Sequence, residues 1–370
     1  MSPPLSLYVH FPWCVAKCPY CDFNSHENLG PGDEERYISQ LIRDLALEDL
    51  EQRRFETVFF GGGTPSLMQP VSVAQVLDEL REKNLLVADA EITLEANPGT
   101  ADAANFRGYH EAGVNRLSLG IQSLDDDSLA ALGRIHGAKE ARAAVGMARD
   151  AGFDNINLDL MFGLPGQSEA AMLADLEGVI ALAPEHLSWY QLTIEPNTRF
   201  YSSPPLLPVL DEIATWQQSG ESLLSGAGFS QYEVSAWAQP GRECRHNMNY
   251  WLFGDYVGIG AGAHGKLTAP DGRIIRTTRT RVPRDYLANP NRRTRPIETD
   301  DLALEFLMNA LRLKSGFPND TFEARTGSSE ASLMSAIRDA VARHLIVSEN
   351  GVTRATPLGY RHLDSVLGLI

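Results

Sequence analysis

Two rhythms of apolar and polar positions alternate along the first 226 residues. Short apolar runs read as strands at 6–11, 57–60, 91–96, 116–121, 155–160 and 186–193. Between them apolar residues recur at helical spacing. Ile38, Leu41, Ile42 and Leu45 mark the first such stretch, over 33–53. The others lie at 71–84, 101–112, 125–150 (interrupted near Gly133), 169–182 and 210–226. Six strand-then-helix units in a row imply an α/β fold with a parallel sheet and right-handed crossovers. Six are too few to close the eight-stranded barrel, so the pattern predicts a partial (β/α)6 barrel of the TIM-like kind.

The rhythm changes after Gly226. Residues 231–238 read as an irregular strand. Then come Cys244-Arg245-His246-Asn247-Met248-Asn249-Tyr250-Trp251 and the glycine-rich run from Gly258 to His264. A basic, turn-rich stretch at 271–281 predicts a hairpin through Asp271-Gly272. Residues 283–296, rich in Pro, Asn and Arg, read as a linker. Beyond it helices are predicted at 300–312, 318–326, 329–343 and 358–367, with a small hairpin formed by 345–347 and 351–353. Helices followed by a hairpin suggest a winged-helix-like α+β module. The expected division is a barrel at 1–230, an extension at 231–298 and a small C-terminal domain at 299–370.

Charge narrows the function classes. A formal net charge of −16 argues against binding a nucleic-acid backbone, and so against reading the winged helix as a DNA reader. No apolar run approaches the ~18 residues of a membrane span. The first residues lack the charged and apolar regions of a signal peptide. A cytoplasmic protein is expected, in which clustered cysteines mean metal or redox chemistry rather than disulfides.

Three of the four cysteines, Cys14, Cys18 and Cys21, follow the first strand with the spacing C-x3-C-x2-C. Soft thiolates so close together favour an iron–sulfur cluster. A four-iron cluster held by three cysteines leaves one iron open to a small molecule. Zinc is the rival, with His10 or His26 as a fourth ligand, but a second cysteine pair is missing. The other unusual polar motifs also follow strand ends: Gly61-Gly62-Gly63-Thr64-Pro65, Glu95 with Asn97, Gln122, and Asp159. Barrel folds put their active sites there. Taken singly, each reads as structural; the triple glycine is then a tight turn, and it matches no phosphate-loop fingerprint. Taken together, Glu95, Gln122, Arg134 and Asp159 supply what an amino-acid-bearing nucleoside needs. A carboxylate holds an ammonium, a guanidinium holds a carboxylate, and an amide with a carboxylate holds ribose hydroxyls. His246 and His264 each sit in Gly-, Asn- and aromatic-rich surroundings, where a lone histidine is usually a satisfied structural residue. His246, beside Cys244, Tyr250 and Trp251, also suits haem, whose iron takes His or Cys and whose ring stacks on aromatics.

These residues carry a family likeness. The chain resembles the radical S-adenosylmethionine (SAM) enzymes through Cys14, Cys18, Cys21, Tyr20 and the GGGTP stretch. Within that superfamily it is similar to the group containing oxygen-independent coproporphyrinogen III oxidase. The matching stretches are YVHFPWC, EANP, SLGIQS, LGRIH, DLMFGLPGQ and GIGAGAH, spread over nearly the whole chain. It departs from the oxidases where they carry a further cysteine, here Phe23, and in beginning at the first strand without their extra N-terminal segment. His246 to Trp251 fits the H-N-x-x-Y-W motif of the group's haem-chaperone branch.

The resemblance implies that Cys14, Cys18 and Cys21 ligate a 4Fe–4S cluster. Gly62, Gly63 and Thr64 would line the methionyl part of SAM, with Glu95 on its amino group and Arg134 on its carboxylate. Gln122 and Asp159 would reach the ribose, with Tyr20 near the adenine and Tyr8 in the same site. His246, Tyr250 and Trp251 would meet haem. The implied partners are haem, acceptor haemoproteins and an electron donor for the cluster. The competing expectation is oxidative decarboxylation of coproporphyrinogen III through a 5′-deoxyadenosyl radical. The haem acceptor, covalent or non-covalent haem attachment, productive SAM cleavage, dimerisation and transient membrane-surface contact are left open.

Overall fold

The computed structural model describes residues 2–50, 52–100 and 102–370. Its main sheet has twelve strands and a second sheet has three. Six strands run parallel in chain order: β1 (Leu5–Phe11), β2 (Phe55–Gly62), β3 (Leu86–Ala96), β4 (Arg116–Gln122), β5 (Ile156–Phe162) and β6 (His186–Gln191). A hairpin of β7 (Ser230–Glu233) and β8 (Ala236–Ala238) pairs antiparallel with β6. On the other side β9 (Asp255–Ile259) runs parallel to β1. Antiparallel β10 (His264–Thr268), β11 (Ile274–Thr278) and β12 (Arg293–Pro296) follow. The sheet ends on β12 and β7, so the barrel stays open.

Side-chain alternation along the strands explains the layering. Leu7, Val9, Val58, Phe60, Ile92, Leu94, Leu117, Leu119, Ile156 and Leu158 point one way and join the helices in one apolar core. Burying each such side chain stabilises the fold by about 1.5–3 kcal/mol. Residues between them point into the barrel lumen and are polar: Tyr8 and His10, Glu95, Arg116 and Ser118, Asn157 and Asp159, His186 and Ser188 line two cavities there. A purely structural parallel sheet is apolar on both faces. A polar lumen is a place for a ligand or water.

The helices start and stop on local signals. Asp102, Asp125 and Ser168 accept backbone N–H bonds at the starts of Ala103–Ala112, Asp126–Ala131 and Glu169–Ile180. The expected break near Gly133 is real. Gly133 has φ +66°, and a Cβ there would lie 2.8 Å from Pro19 of the cysteine loop. That turn aims Arg134 at Cys18.

Four readings change. The stretch 33–53 is helical only over Asp33–Leu45. The irregular strand at 231–238 is the tight hairpin β7–β8. The linker at 283–296 is instead a short helix, Pro283–Ala288, followed by β12. Proline suits a first helical turn, and charged, proline-ended β12 suits an exposed edge. The helices expected at 329–343 and 358–367 each break in two.

The small unit carries the sheet Phe317–Pro318, Val352–Ala355 and Ile346–Glu349. Its core is shared: Phe253 and Ile274 join Phe306, Phe317 and Phe322, with Phe253 and Phe306 ring centroids 5.6 Å apart. A buried ion cluster ties the barrel to its extension. Arg279 bonds Asp44 at 2.6 Å and Glu48 at 2.5 Å, Arg292 holds Glu48 from outside, and Tyr286 donates to Asp44 at 2.8 Å. Among the described residues no helix is long and apolar enough to cross a membrane.

Candidate functional site

β1 delivers the chain directly into the cysteine loop. The Cys14 N–H donates to His26 O at 2.9 Å and the His26 N–H to Pro12 O at 2.7 Å, which closes the loop at its neck. Cys14, Cys18 and Cys21 are half-buried and unbridged. Burial pushes the Cys14 and Cys21 thiols up, so metal binding there has to displace protons. Cys18 Sγ accepts from Arg134 Nη1 at 3.5 Å. The fourth cysteine, Cys244, lies elsewhere, fully buried and bonded to Glu91 at 3.5 Å. Of the two histidines that could complete a zinc site, His10 has both ring nitrogens bonded, to Tyr8 OH at 3.0 Å and Asn24 O at 2.9 Å, and His26 has Nε2 3.3 Å from Asn24 Oδ1. Among the described residues no three His, Cys, Asp or Glu side chains gather around a single ion. A cluster takes one thiolate per iron, and three free thiols on one short loop suit it chemically.

The glycine loop after β2 is braced against the cysteine loop. Gly63 N–H donates to Phe11 O at 2.7 Å and Thr64 N–H to Trp13 O at 2.8 Å. A Cβ on Gly63 would lie 2.5 Å from Trp13 O, and one on Gly62 2.5 Å from the His10 ring. Gly62 also has φ +115°, which only glycine adopts freely. The glycines therefore first serve loop-to-loop contact. The Gly62 N–H also donates to Glu95 Oε2 at 3.1 Å. Burial, then the neighbouring Asp159 charge, raises the Glu95 carboxyl to about 8.

Arg134 donates from Nη2 to Gly120 O at 2.7 Å and from Nη1 to Tyr20 OH at 3.4 Å. Its Nε is buried with no partner among the described residues, an unused donor beside the cysteine loop. Gln122 ends β4 at φ +66°, a strained backbone for a non-glycine, and its Oε1 accepts from Tyr190 OH at 2.8 Å. Asp159 accepts from Asn157 at 2.7 Å and from Ser118 at 3.4 Å; burial raises its carboxyl. Tyr8, Gly62 and Glu95 line the larger cavity, of about 570 Å³. Tyr8, Glu95 and Asp159 line the smaller, of about 260 Å³. Tyr20, Arg134 and Gln122 form the flank next to Cys18. The predicted residues thus fall into two groups: Glu95 and Asp159, the latter midway along β5 rather than at its end, share the wall of the smaller cavity, and Gln122, Arg134 and Tyr20 lie outside both cavities.

The H-N-x-x-Y-W stretch forms the helix Arg245–Trp251. Its N-terminus rests on Glu91, which accepts from Arg245 N–H at 3.1 Å and His246 N–H at 3.0 Å. Glu91 escaped the sequence reading, as did Arg116, His186 and β9. Their signal was the polar phase of each strand rather than a motif. His246 is fully buried; Nδ1 pairs with Thr57 Oγ1 at 2.7 Å and Nε2 with Tyr250 OH at 2.9 Å. Burial drives its pKa down to about 3. It lines only the smaller cavity, whereas Tyr250 lines both and Trp251 the larger. Arg312 stacks 4.3 Å over the Trp251 ring.

A partial barrel with a three-cysteine loop at the C-terminal strand ends defines a class. Residues 8–177 match the Radical SAM superfamily and residues 297–362 the HemN C-terminal domain. The fold matches that of coproporphyrinogen III oxidase (HemN) from Escherichia coli, with a TM-score of 0.82 at 20% identity over 100% of this chain and 90% of that one. Within the class the chain is 49% identical to the heme chaperone HemW of Escherichia coli K12, across 99% of this chain and 98% of the relative. It is 46% identical to the heme chaperone HemW of Haemophilus influenzae, again across 99% and 98%. The chain belongs to the HemW family of the radical SAM superfamily. That membership implies a 4Fe–4S cluster and SAM.

Proposed function

We propose that this protein binds haem and hands it to acceptor haemoproteins, with a 4Fe–4S cluster and SAM held at the barrel mouth. The observation that carries the reading is identity of 49% to a heme chaperone over almost the full length of both chains. The open cavity behind Phe23 and Trp251 supports it, since it offers room and apolar walls for a flat macrocycle.

Cys14, Cys18 and Cys21 would hold the cluster. When bound, it supplies a redox-active iron with a free position that the amino and carboxylate groups of SAM can chelate. Glu95 accepts from the amino group, and Arg134 offers its unused Nε to the carboxylate. Gly62, Gly63 and Thr64 present backbone to the methionyl part. Gln122 and Asp159 orient the ribose, with Tyr8 and Tyr20 as flanking rings. An electron donor for the cluster belongs to the same reading; a dimer and contact with a membrane surface are not needed by it.

Titrating haem into reconstituted protein tests the first half: a saturable Soret shift is expected. Mixing the loaded protein with an apo-haemoprotein tests the second: the acceptor's spectrum appears. An anaerobic assay with coproporphyrinogen III, SAM and a reductant separates this from the oxidase reading. Robust protoporphyrinogen formation without haem transfer overturns the proposal.

A further inference from the structure

We propose that His264 presents the imidazole that haem iron meets, and that Arg281 receives a haem propionate, both in the larger cavity. This rests on the haem-binding reading above and goes beyond it by naming residues that the H-N-x-x-Y-W motif does not contain.

His246 is poorly placed for that role. It is buried, lies away from the larger cavity, and both ring nitrogens are already bonded. Ligation through Nε2 would leave Tyr250 OH without its partner in the interior, at a cost of about 1–3 kcal/mol, and ligation through Nδ1 would break the bond to Thr57, which keeps Ser6. Its bonds anchor the helix Arg245–Trp251 against β2, which sets Tyr250 and Trp251 in the cavity wall. That makes His246 a positioning residue.

His264 differs in each respect. It opens β10, is exposed, lines the larger cavity, and its ring makes no hydrogen bond among the described residues. Its backbone is nevertheless fixed. Asn24 of the cysteine loop donates to Ala261 O and to Arg281 O, both at 2.9 Å. Tyr37 OH accepts from the Ala261 N–H at 2.8 Å, and Asp44 from the Gly260 N–H at 3.2 Å. A Cβ on Gly258 would collide with the His264 carbonyl, so β9 packs backbone against the start of β10. A free imidazole on a rigid strand end is what a metal ligand requires.

The rest of the wall suits a porphyrin. Tyr250, Trp251 and Tyr256 line the cavity with their rings, as does the exposed Phe23. Three cations line the cavity. Lys266 is held by Asp255 at 2.9 Å and Arg276 by Glu305, but Arg281 pairs with no acid among the described residues. Arg281 is therefore the guanidinium left to meet a carboxylate.

The test uses the full-length, cluster-reconstituted protein and ferric haem. Wild type should bind with a histidine-ligated spectrum. His264→Gly should shift the Soret band, alter the ferric electron paramagnetic resonance signal and weaken binding about tenfold or more. Added imidazole should restore the wild-type spectrum in the glycine variant only. Arg281→Gln should weaken binding of haem but not of haem dimethyl ester, which lacks propionate charge. His264 and Arg281 are exposed, so neither change threatens folding, which an unaltered unfolding midpoint verifies. If wild type binds haem and His264→Gly keeps both spectrum and affinity, this inference is overturned and the chaperone reading stands. If wild type binds no haem, the chaperone reading itself has failed.

Discussion

Glu95 is the residue where function and stability pull apart. Its carboxyl sits in the barrel wall and accepts from the Gly62 N–H, and burial raises it from 4.5 to about 8. A raised carboxyl means that the folded state holds a proton that the unfolded state gives up between those two pH values. Its contribution is therefore intact below pH 4.5 and is lost as pH climbs through about 8. At about 1.4 kcal/mol per pH unit the shift sets a ceiling of about 5 kcal/mol. The carboxylate borders both cavities, and water there screens it, so about 2 kcal/mol is the expected size. Glu95→Gln keeps the shape and the acceptor for Gly62 while removing the charge. Urea unfolding of SAM-free protein should find the variant near wild type at pH 5 and about 2 kcal/mol more stable at pH 9. Calorimetry should find its SAM binding weakened, because the amino group loses a charged partner. A stability difference that does not change with pH would refute the buried-charge argument, whatever happens to SAM.

Three further outcomes follow from the same structure. Arg279→Met takes the cation from between two buried carboxylates, leaving Asp44 only the neutral donors Tyr286 and Gly260 N–H and Glu48 only the half-buried Arg292, and should cost about 3–5 kcal/mol by urea unfolding; a loss under about 1 kcal/mol would mean that these remaining partners suffice. His246 is held neutral, its pKa lowered from 6.5 to about 3, so its stabilisation is present above pH 6.5 and lost as pH falls toward 3; relative to wild type, His246→Gln should lose less stability over that range, and parallel curves would count against it. Cys18→Ser should remove the cluster and impair haem transfer to an apo-haemoprotein more than haem binding by Soret titration; equal losses in both would contradict a role for the cluster in delivery.

Much of the fold was legible because the six parallel strands alternate so regularly. Leu7, Val9 and Phe11 alone announce a strand, and helical spacing over Leu210–Gly226 reproduces the observed helix end to end. What stayed hidden depended on contacts distant in sequence. The pattern assigns no element to β9, which forms because β1 offers a free edge that parallel pairing can satisfy. Glu91 belongs to no motif; it matters because three groups some 150 residues later, the Cys244 thiol and the Arg245 and His246 N–H, converge on it. The site was legible in its motifs but not in the contacts around them. Gly63 looked like a place for a ligand to approach, and the structure gives that space first to Trp13. His246 reads as the haem candidate, and its ring is buried with both nitrogens bonded, while His264 reads as structural and faces the larger cavity. Periodicity reports which face a residue takes, but not whether its nitrogens are already occupied.

The two lumen cavities are not independent. Tyr8, Glu95 and Tyr250 border both, and the larger also touches Gly62 and Phe23, one from each of the two loops at the barrel mouth. A nucleoside held by Glu95 and a macrocycle facing His264 would therefore share a wall, and Tyr250 in that wall is tied to His246. Binding that moves Tyr250 must either keep or break the His246 bond, and the cost of breaking it is felt at both cavities. Linkage then requires that SAM alter haem affinity by the same factor as haem alters SAM affinity. An oxidase needs such a wall to bring substrate to a reactive centre. A carrier can use the same wall for a different end, since a cofactor that is only bound can still set how tightly the cargo is held. The H-N-x-x-Y-W helix, with its histidine turned inward, is built as that wall.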